Sequence, residues 1–169
     1  MTSHKDPSRC GNNQNQIKEH IYRLLKYRER SVKEVRDRLK AKHYRSEEIQ
    51  KAINDFLELD LLNDTRFTAQ WVRWRLAKPY GVKRIAVELR KKGIDQETIQ
   101  SELAKATASL EEERVVYDLA QKRLSRYQYV TETKKLQRIY GYLYRRGFGA
   151  PAIYRVLNRL KDEWRNDSL

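Results

Sequence analysis

One hydrophobic pattern occurs three times along the chain, and it constrains the fold more than any other feature. It begins as Val32, Val35, Leu39, Tyr44, Ile49 and Ile53. About fifty residues on it recurs as Val82, Ile85, Leu89, Ile94, Ile99 and Leu103. After a slightly longer step it returns as Leu136, Ile139, Leu143, Phe148, Ile153 and Leu157. Each set spaces apolar residues three or four apart, breaks, and resumes, which is the signature of a helix, a tight turn and a second helix. Repetition at a fixed period marks tandem units. The expected fold is all-α, with three tandem three-helix repeats forming an elongated arc.

The residues between the apolar positions support this. Gly93 and Gly147 stand just past the first helix of their pairs, where a left-handed residue closes a helix end. His43 occupies that place in the first copy, where glycine would suit better. Asp95 and Ser46 are expected N-caps for the second helices. Pro151 falls in the first turn of its helix, where a missing N–H costs nothing. A further helix precedes each pair, over Ile17–Arg28, Thr65–Lys78 and Leu110–Tyr127. Ser31/Glu34 and Ser109/Glu112 match the capping-box pattern, and Pro79-Tyr80-Gly81 breaks the chain before the second pair. Gly141 sits inside a helix, so close packing or a bend is expected there. Residues 1–16 are polar and without period, and read as a mobile tail. The units then span 17–63, 64–108 and 109–169.

Composition agrees. Of the 169 residues, 39% are hydrophobic and 36% charged, with only 6 glycines and 3 prolines, which favours long helices with thin cores. The single cysteine, Cys10, excludes an intramolecular disulfide. Residues 1–16 have no apolar signal segment, and no apolar run reaches membrane-spanning length. The expected setting is cytoplasmic, with no membrane partner. No HExxH, GxSxG, P-loop or GxGxxG occurs, and the three histidines are scattered. Glu47-Glu48 and Glu111-Glu112-Glu113 lie at helix starts, where carboxylates complement the dipole. The chain is therefore read as a protein without enzymatic activity, cofactor or metal.

The formal net charge of +14 selects polyanionic partners, nucleic acid foremost. The charge is uneven. No acidic residue occurs from Thr65 to Val87, a stretch holding Arg66, Arg73, Arg75, Lys78, Lys83 and Arg84, with Arg90, Lys91 and Lys92 soon after. A second cluster comprises Lys134, Lys135, Arg138, Arg145, Arg146, Arg155 and Arg159, among Tyr140, Tyr142, Tyr144 and Tyr154. Phe67, Trp71 and Trp74 at i, i+4 and i+7 read as a core stripe. Tyr140 and Tyr144 should face one way and Tyr142 another. In a DNA-reading helix-turn-helix the second helix enters the major groove. Here that helix is acidic in the first two units (Glu47, Glu48, Asp55, Glu58, Asp60; Asp95, Glu97, Glu102), which disfavours base reading there; only the third, with Arg155, Arg159 and Lys161, has a suitable sign.

Leu61-Leu62-Asn63-Asp64-Thr65-Arg66-Phe67, then Trp71-Val72, Arg75, Gly81, Arg84-Ile85, Glu88-Leu89 and Lys92-Gly93-Ile94, resemble the central signature of RecX proteins. Leu24-Leu25, Ser31 and Leu39 on one side and Arg145-Arg146-Gly147-Phe148 and Ile153 on the other extend the likeness over nearly everything from Ile17 onward. The resemblance implies three tandem three-helix repeats. It also implies a regulator that binds RecA–DNA filaments in the helical groove and inhibits strand exchange, ATP hydrolysis and coprotease function. Arg66, Arg75 and Arg84 are its functional candidates, and Phe67, Trp71, Ile85, Leu89 and Ile94 its structural ones. With the charge clusters, the expected filament- or DNA-binding residues are Arg66, Arg73, Arg75, Lys78, Lys83, Arg84, Lys91, Arg138, Arg145 and Arg146. The expected partners are the RecA filament and, weakly and without sequence preference, single- or double-stranded DNA, bound by a monomer. The alternative is a stand-alone, sequence-tolerant nucleic-acid-binding protein.

Overall fold

Each apolar set of the repeat closes its own core. In the first unit Val35, Leu39, Ile49 and Ile53 pack with Ile17, Ile21 and Phe56. In the second, Ile85, Leu89 and Ile99 pack with Phe67 and Val72. In the third, Ile139, Leu143, Ile153 and Leu157 pack with Val116 and Ala120. The computed structural model describes residues 7–108, 111–127 and 129–166, with side chains from residue 13 onward within them. Its helices are α1 (Pro7–Tyr27), α2 (Val32–Lys40), α3 (Ser46–Glu58), α4 (Asp64–Leu76), α5 (Val82–Lys91), α6 (Gln96–Thr107), α7 (Glu112–Leu124), α8 (Glu132–Arg145) and α9 (Ala150–Asn166). There is no strand among the described residues. Extensive helix-on-helix packing stays within the units α1–α3, α4–α6 and α7–α9. The molecule is a string of three small cores. Leu89 and Ile99 are fully buried, so Leu89→Ala and Ile99→Ala should each lower stability by about 2–5 kcal/mol in denaturant melts.

The turn chemistry follows the sequence, with differences. Gly93 and Gly147 take φ of 82° and 88°. His43 adopts the same left-handed region at φ 62°, although it carries a side chain. Asp95 caps α6 by accepting from the Thr98 N–H at 2.8 Å. Ser46 is instead the first residue of α3; Arg45 holds the cap position and contributes no side-chain bond. Ser31 accepts from the Glu34 N–H at 3.1 Å, but the Glu34 carboxylate turns away to Arg28 and Lys92 and does not return to the cap. Ser109 lies outside the described residues. The first helix begins at Pro7, not at Ile17, which corrects the tail reading for residues 7–16. Its polar start is tied to α3 by the Asn13 side chain, which donates to Glu48 at 2.7 Å. Residues 1–6 lie outside the description.

The units meet through the ends of their middle helices. The N-terminus of α2 abuts the C-terminus of α5, where the Ser31 hydroxyl donates to the Lys92 carbonyl at 2.8 Å. The N-terminus of α5 abuts the C-terminus of α8 in the same way. There the Gly81 N–H donates to the Arg146 carbonyl at 2.9 Å, and the Lys83 N–H to the Gly147 carbonyl at 3.2 Å. Orphan amides at one helix end thus meet orphan carbonyls at the next, positive dipole end to negative. The second joint is backbone on backbone, because neither Gly81 nor Gly147 interposes a side chain. The left-handed glycines serve these joints as well as the turns. A Cβ on Gly93 would come within 2.7 Å of the Lys33 Cβ, and one on Gly147 would collide with the Arg84 backbone nitrogen. His43 occupies the equivalent position at the outer end of the string and is exposed, so a side chain there has room.

Candidate nucleoprotein interface

The basic α4–α5 segment folds its aromatic residues and some of its cations into one cluster. Phe67 and Val72 are buried and Trp71 is half-buried, as a core stripe requires. Trp74 is 45% exposed, which corrects its assignment to the core. The buried row of α4 runs through Phe67, Thr68 and Val72, and Trp74 falls beyond its edge, beside two cations. Lys78 lies 4.1 Å and Arg75 4.8 Å from its ring. The Tyr80 ring collects three guanidiniums, Arg75 and Arg84 at 4.7 Å and Arg146 at 5.5 Å. One carboxylate serves this group. Glu88 takes a two-pronged ion pair from Arg75, a longer bond from Arg84, and the Trp71 indole N–H at 3.3 Å. Burial acts to raise the Glu88 pKa, but these donors outweigh it and hold it below the usual range.

The ten candidate cations divide by placement. Arg66 is a strut: it donates to Glu29 and to Asp60, each at 2.8 Å, tying the start of α4 to the end of α1. Arg75 is mostly buried against Glu88. Arg146 spans the second joint, donating to the Pro79 carbonyl at 2.8 Å. Arg84 is shared between Glu88 and the Arg145 carbonyl. Arg73, Lys78, Lys83, Lys91, Arg138 and Arg145 are exposed and enter no ion pair among the described residues. Of these, Lys83, Lys91 and Arg145 come together with Arg84 in one cleft between the second and third units. Lys91 and Glu88 also line the neighbouring cleft between the first and second units, beside Trp71, Lys92 and Glu34. A shallow basic cleft therefore follows α5 at the second joint; at the first, Lys33, Arg75 and Lys92 are paired with Asp37, Glu88 and Glu34, and Lys91 enters no ion pair among the described residues. Arg66 lies in a different cleft, with Tyr22 and Leu25, and Arg138 stands beside Tyr127.

Glu34, at the first joint, was read from sequence only as a capping residue. Burial would raise its pKa, but hydrogen bonds from Arg28 and Lys92 win and lower it to about 2. A carboxylate whose folded pKa is depressed stabilises the fold above its unfolded pKa and loses that contribution as the pH falls through the folded one. The first joint should thus weaken between about pH 4.5 and 2. Glu34→Gln should remove about 1–2 kcal/mol at neutral pH, solvent screening allowed for, and flatten the acid limb of the stability curve.

The second helices of the first two pairs are acidic, and that of the third is partly neutralised. α3 and α6 keep their carboxylates, and in α9 two of the three arginines, Arg155 and Arg159, are occupied, while Lys161 and Arg165 are exposed. Arg155 pairs with Glu113. Arg159 pairs with Glu163 and covers the Tyr117 ring at 4.1 Å.

Three family models match the chain in order: the RecX first three-helix domain over residues 18–56, the second over 63–103 and the third over 111–157. The chain belongs to the RecX family. A protein of Mycobacterium sp. (strain JLS) named Regulatory protein RecX is 33% identical over 147 residues, covering 85% of this chain and 80% of that one. One from Legionella pneumophila (strain Corby), named likewise, is 32% identical and covers 84% and 93%. The crystal structure of RecX from Lactobacillus salivarius superposes with a TM-score of 0.79 at 26% identity, over 89% of this chain and 98% of that one. A further crystal structure, of a regulatory protein RecX, gives a TM-score of 0.80 at 20% identity over 92% and 79%, a likeness of fold. The RecX resemblance and the three-repeat helical fold are thereby established. No described helix is long and apolar enough to cross a membrane.

Proposed function

We propose that this RecX-family chain lies in the groove of a RecA–DNA filament and inhibits strand exchange, ATP hydrolysis and coprotease activity without chemistry of its own. The observation that carries this is the basic cleft along α5 at the second joint, in which Lys83, Lys91 and Arg145 enter no ion pair among the described residues, with Lys91 also reaching the cleft at the first joint. A string of units touches several filament subunits at once, and weak contacts then act together through effective concentration. Positive charge suits DNA phosphates and acidic protein surface alike, so the filament outcompetes either alone. Occupying the groove obstructs a second DNA strand, and bridging subunits hinders the motions of ATP turnover. The acidic faces of α3 and α6, and the pairing of Arg155 and Arg159 in α9, argue against sequence reading.

The test is binding to RecA–ssDNA filaments beside the same DNA without recombinase, at matched physiological salt. Filament binding should be clearly tighter, and naked-DNA binding weak, sequence-tolerant and steeply salt-dependent. Equal affinity for both would turn the reading to a stand-alone nucleic-acid-binding protein.

A further inference from the structure

The third unit carries an aromatic surface that packing uses only in part: Tyr140 packs against the core, while Tyr144 and Tyr154 are exposed. Tyr140 and Tyr144, one turn apart on α8, lie with ring planes 11° apart and centroids 5.8 Å apart. Tyr154 of α9 joins them, 5.3 Å from Tyr140. Tyr144 and Tyr154 are each 55% exposed. Tyr142 turns to the other side and lies under Arg123 and Arg146, both at 4.8 Å. A tyrosine needed only for packing buries its ring. Tyr140 and Tyr154 line a cleft of α8 and α9 whose remaining walls are uncharged apart from Lys161. At the other edge of the cluster, Tyr144 lines the cleft that holds Lys83, Lys91 and Arg145, where the one carboxylate, Glu88, is already paired with Arg75 and Arg84. Tyr144 therefore links the exposed side of the tyrosine cluster to cations that enter no ion pair among the described residues.

We propose that this tyrosine cluster is a stacking platform for the unpaired bases of single-stranded DNA, whose phosphates follow Arg145, Lys83 and Lys91 on one side and Lys161 on the other. Ring faces accept any base, and cations alongside hold the backbone, which is the combination that sequence-tolerant single-strand binding needs. A duplex hides its base faces and offers the platform nothing. The site requires no recombinase, so its test is independent of the filament reading.

The experiment measures binding of oligo-dT, of an abasic strand of equal length and charge, and of a duplex, by fluorescence anisotropy. It compares the parent protein, Tyr144→Ala/Tyr154→Ala and Tyr144→Phe/Tyr154→Phe. Both side chains are more than half exposed, and unchanged circular dichroism melts verify the fold. The alanine variant should bind oligo-dT about ten-fold or more weakly while matching the parent on the abasic strand and the duplex. The phenylalanine variant should retain parental affinity. Equal binding of oligo-dT by parent and alanine variant overturns the proposal. So does an equal loss on the abasic strand, which would mean that the rings act only by placing charge. If the alanine variant keeps its oligo-dT affinity but loses RecA filaments, the face docks protein and the platform is refuted.

Discussion

Gly147→Ala should unfold at markedly lower denaturant than the parent and free the third unit from the second. Two costs add at this position. The backbone stands at φ 88°, where an L side chain is strained by about 1–2 kcal/mol. The new Cβ would also meet the Arg84 backbone, which cannot move without breaking the α5–α8 joint. Overpacking of this kind adds about 1–3 kcal/mol. A total of about 2–5 kcal/mol is expected, with the melt broadening or splitting as the units uncouple. Gly149→Ala is the control, since its Cβ would find only the Pro151 ring at 3.8 Å. His43→Gly tests the same logic in reverse. Relief of a left-handed histidine, less the entropy of an added glycine, should stabilise by up to about 1 kcal/mol. A Gly147→Ala melt indistinguishable from the parent would refute the joint.

Reversing the charges of the α5 groove, with Lys83→Glu, Lys91→Glu and Arg145→Glu together, should abolish most inhibition of RecA while leaving the fold intact. All three side chains are exposed and enter no ion pair among the described residues, so no ion pair of the fold is broken. Filament affinity should fall by about ten-fold or more, because each reversal turns an attraction into a repulsion along one polyanionic track. Arg75→Glu would be a poor substitute. It places two carboxylates face to face inside the Tyr80–Glu88 cluster and measures stability instead of binding. A folded triple variant that inhibits as well as the parent would move the interface to another face.

Much of this molecule is legible in its sequence, and the exceptions have common causes. The repeated apolar positions, the left-handed Gly93 and Gly147, the Asp95 cap and the opposed faces of Tyr142 and Tyr144 all depend on local periodicity or local backbone demand. What was missed depends on contacts far apart in the chain. Ser31 reaches Lys92, and Gly81 reaches Arg146, across more than sixty residues. Nothing local marks a capping serine or a turn glycine as half of a joint between units. The same holds for Arg66 and Arg75. Their basic, acid-free neighbourhood looks like a binding strip, but Glu29, Asp60 and Glu88 arrive from other segments and hold them. The early start of α1 escaped notice because its first turns are polar and are held by Glu48 of α3, with no apolar stripe to announce them. The groove residues Lys83, Lys91 and Arg145 were visible as charges. Their convergence required the joints.

The most direct measurement is the rate of ATP hydrolysis and of strand exchange by RecA on single-stranded DNA as this protein is added. Inhibition of both is the result predicted. It should set in well below one copy per RecA if the protein acts at filament ends, and near saturation if it coats the groove. The charge-reversed variant, verified as folded, should leave both rates close to those of RecA alone. Undiminished hydrolysis and strand exchange at saturating amounts of the parent protein would contradict the account.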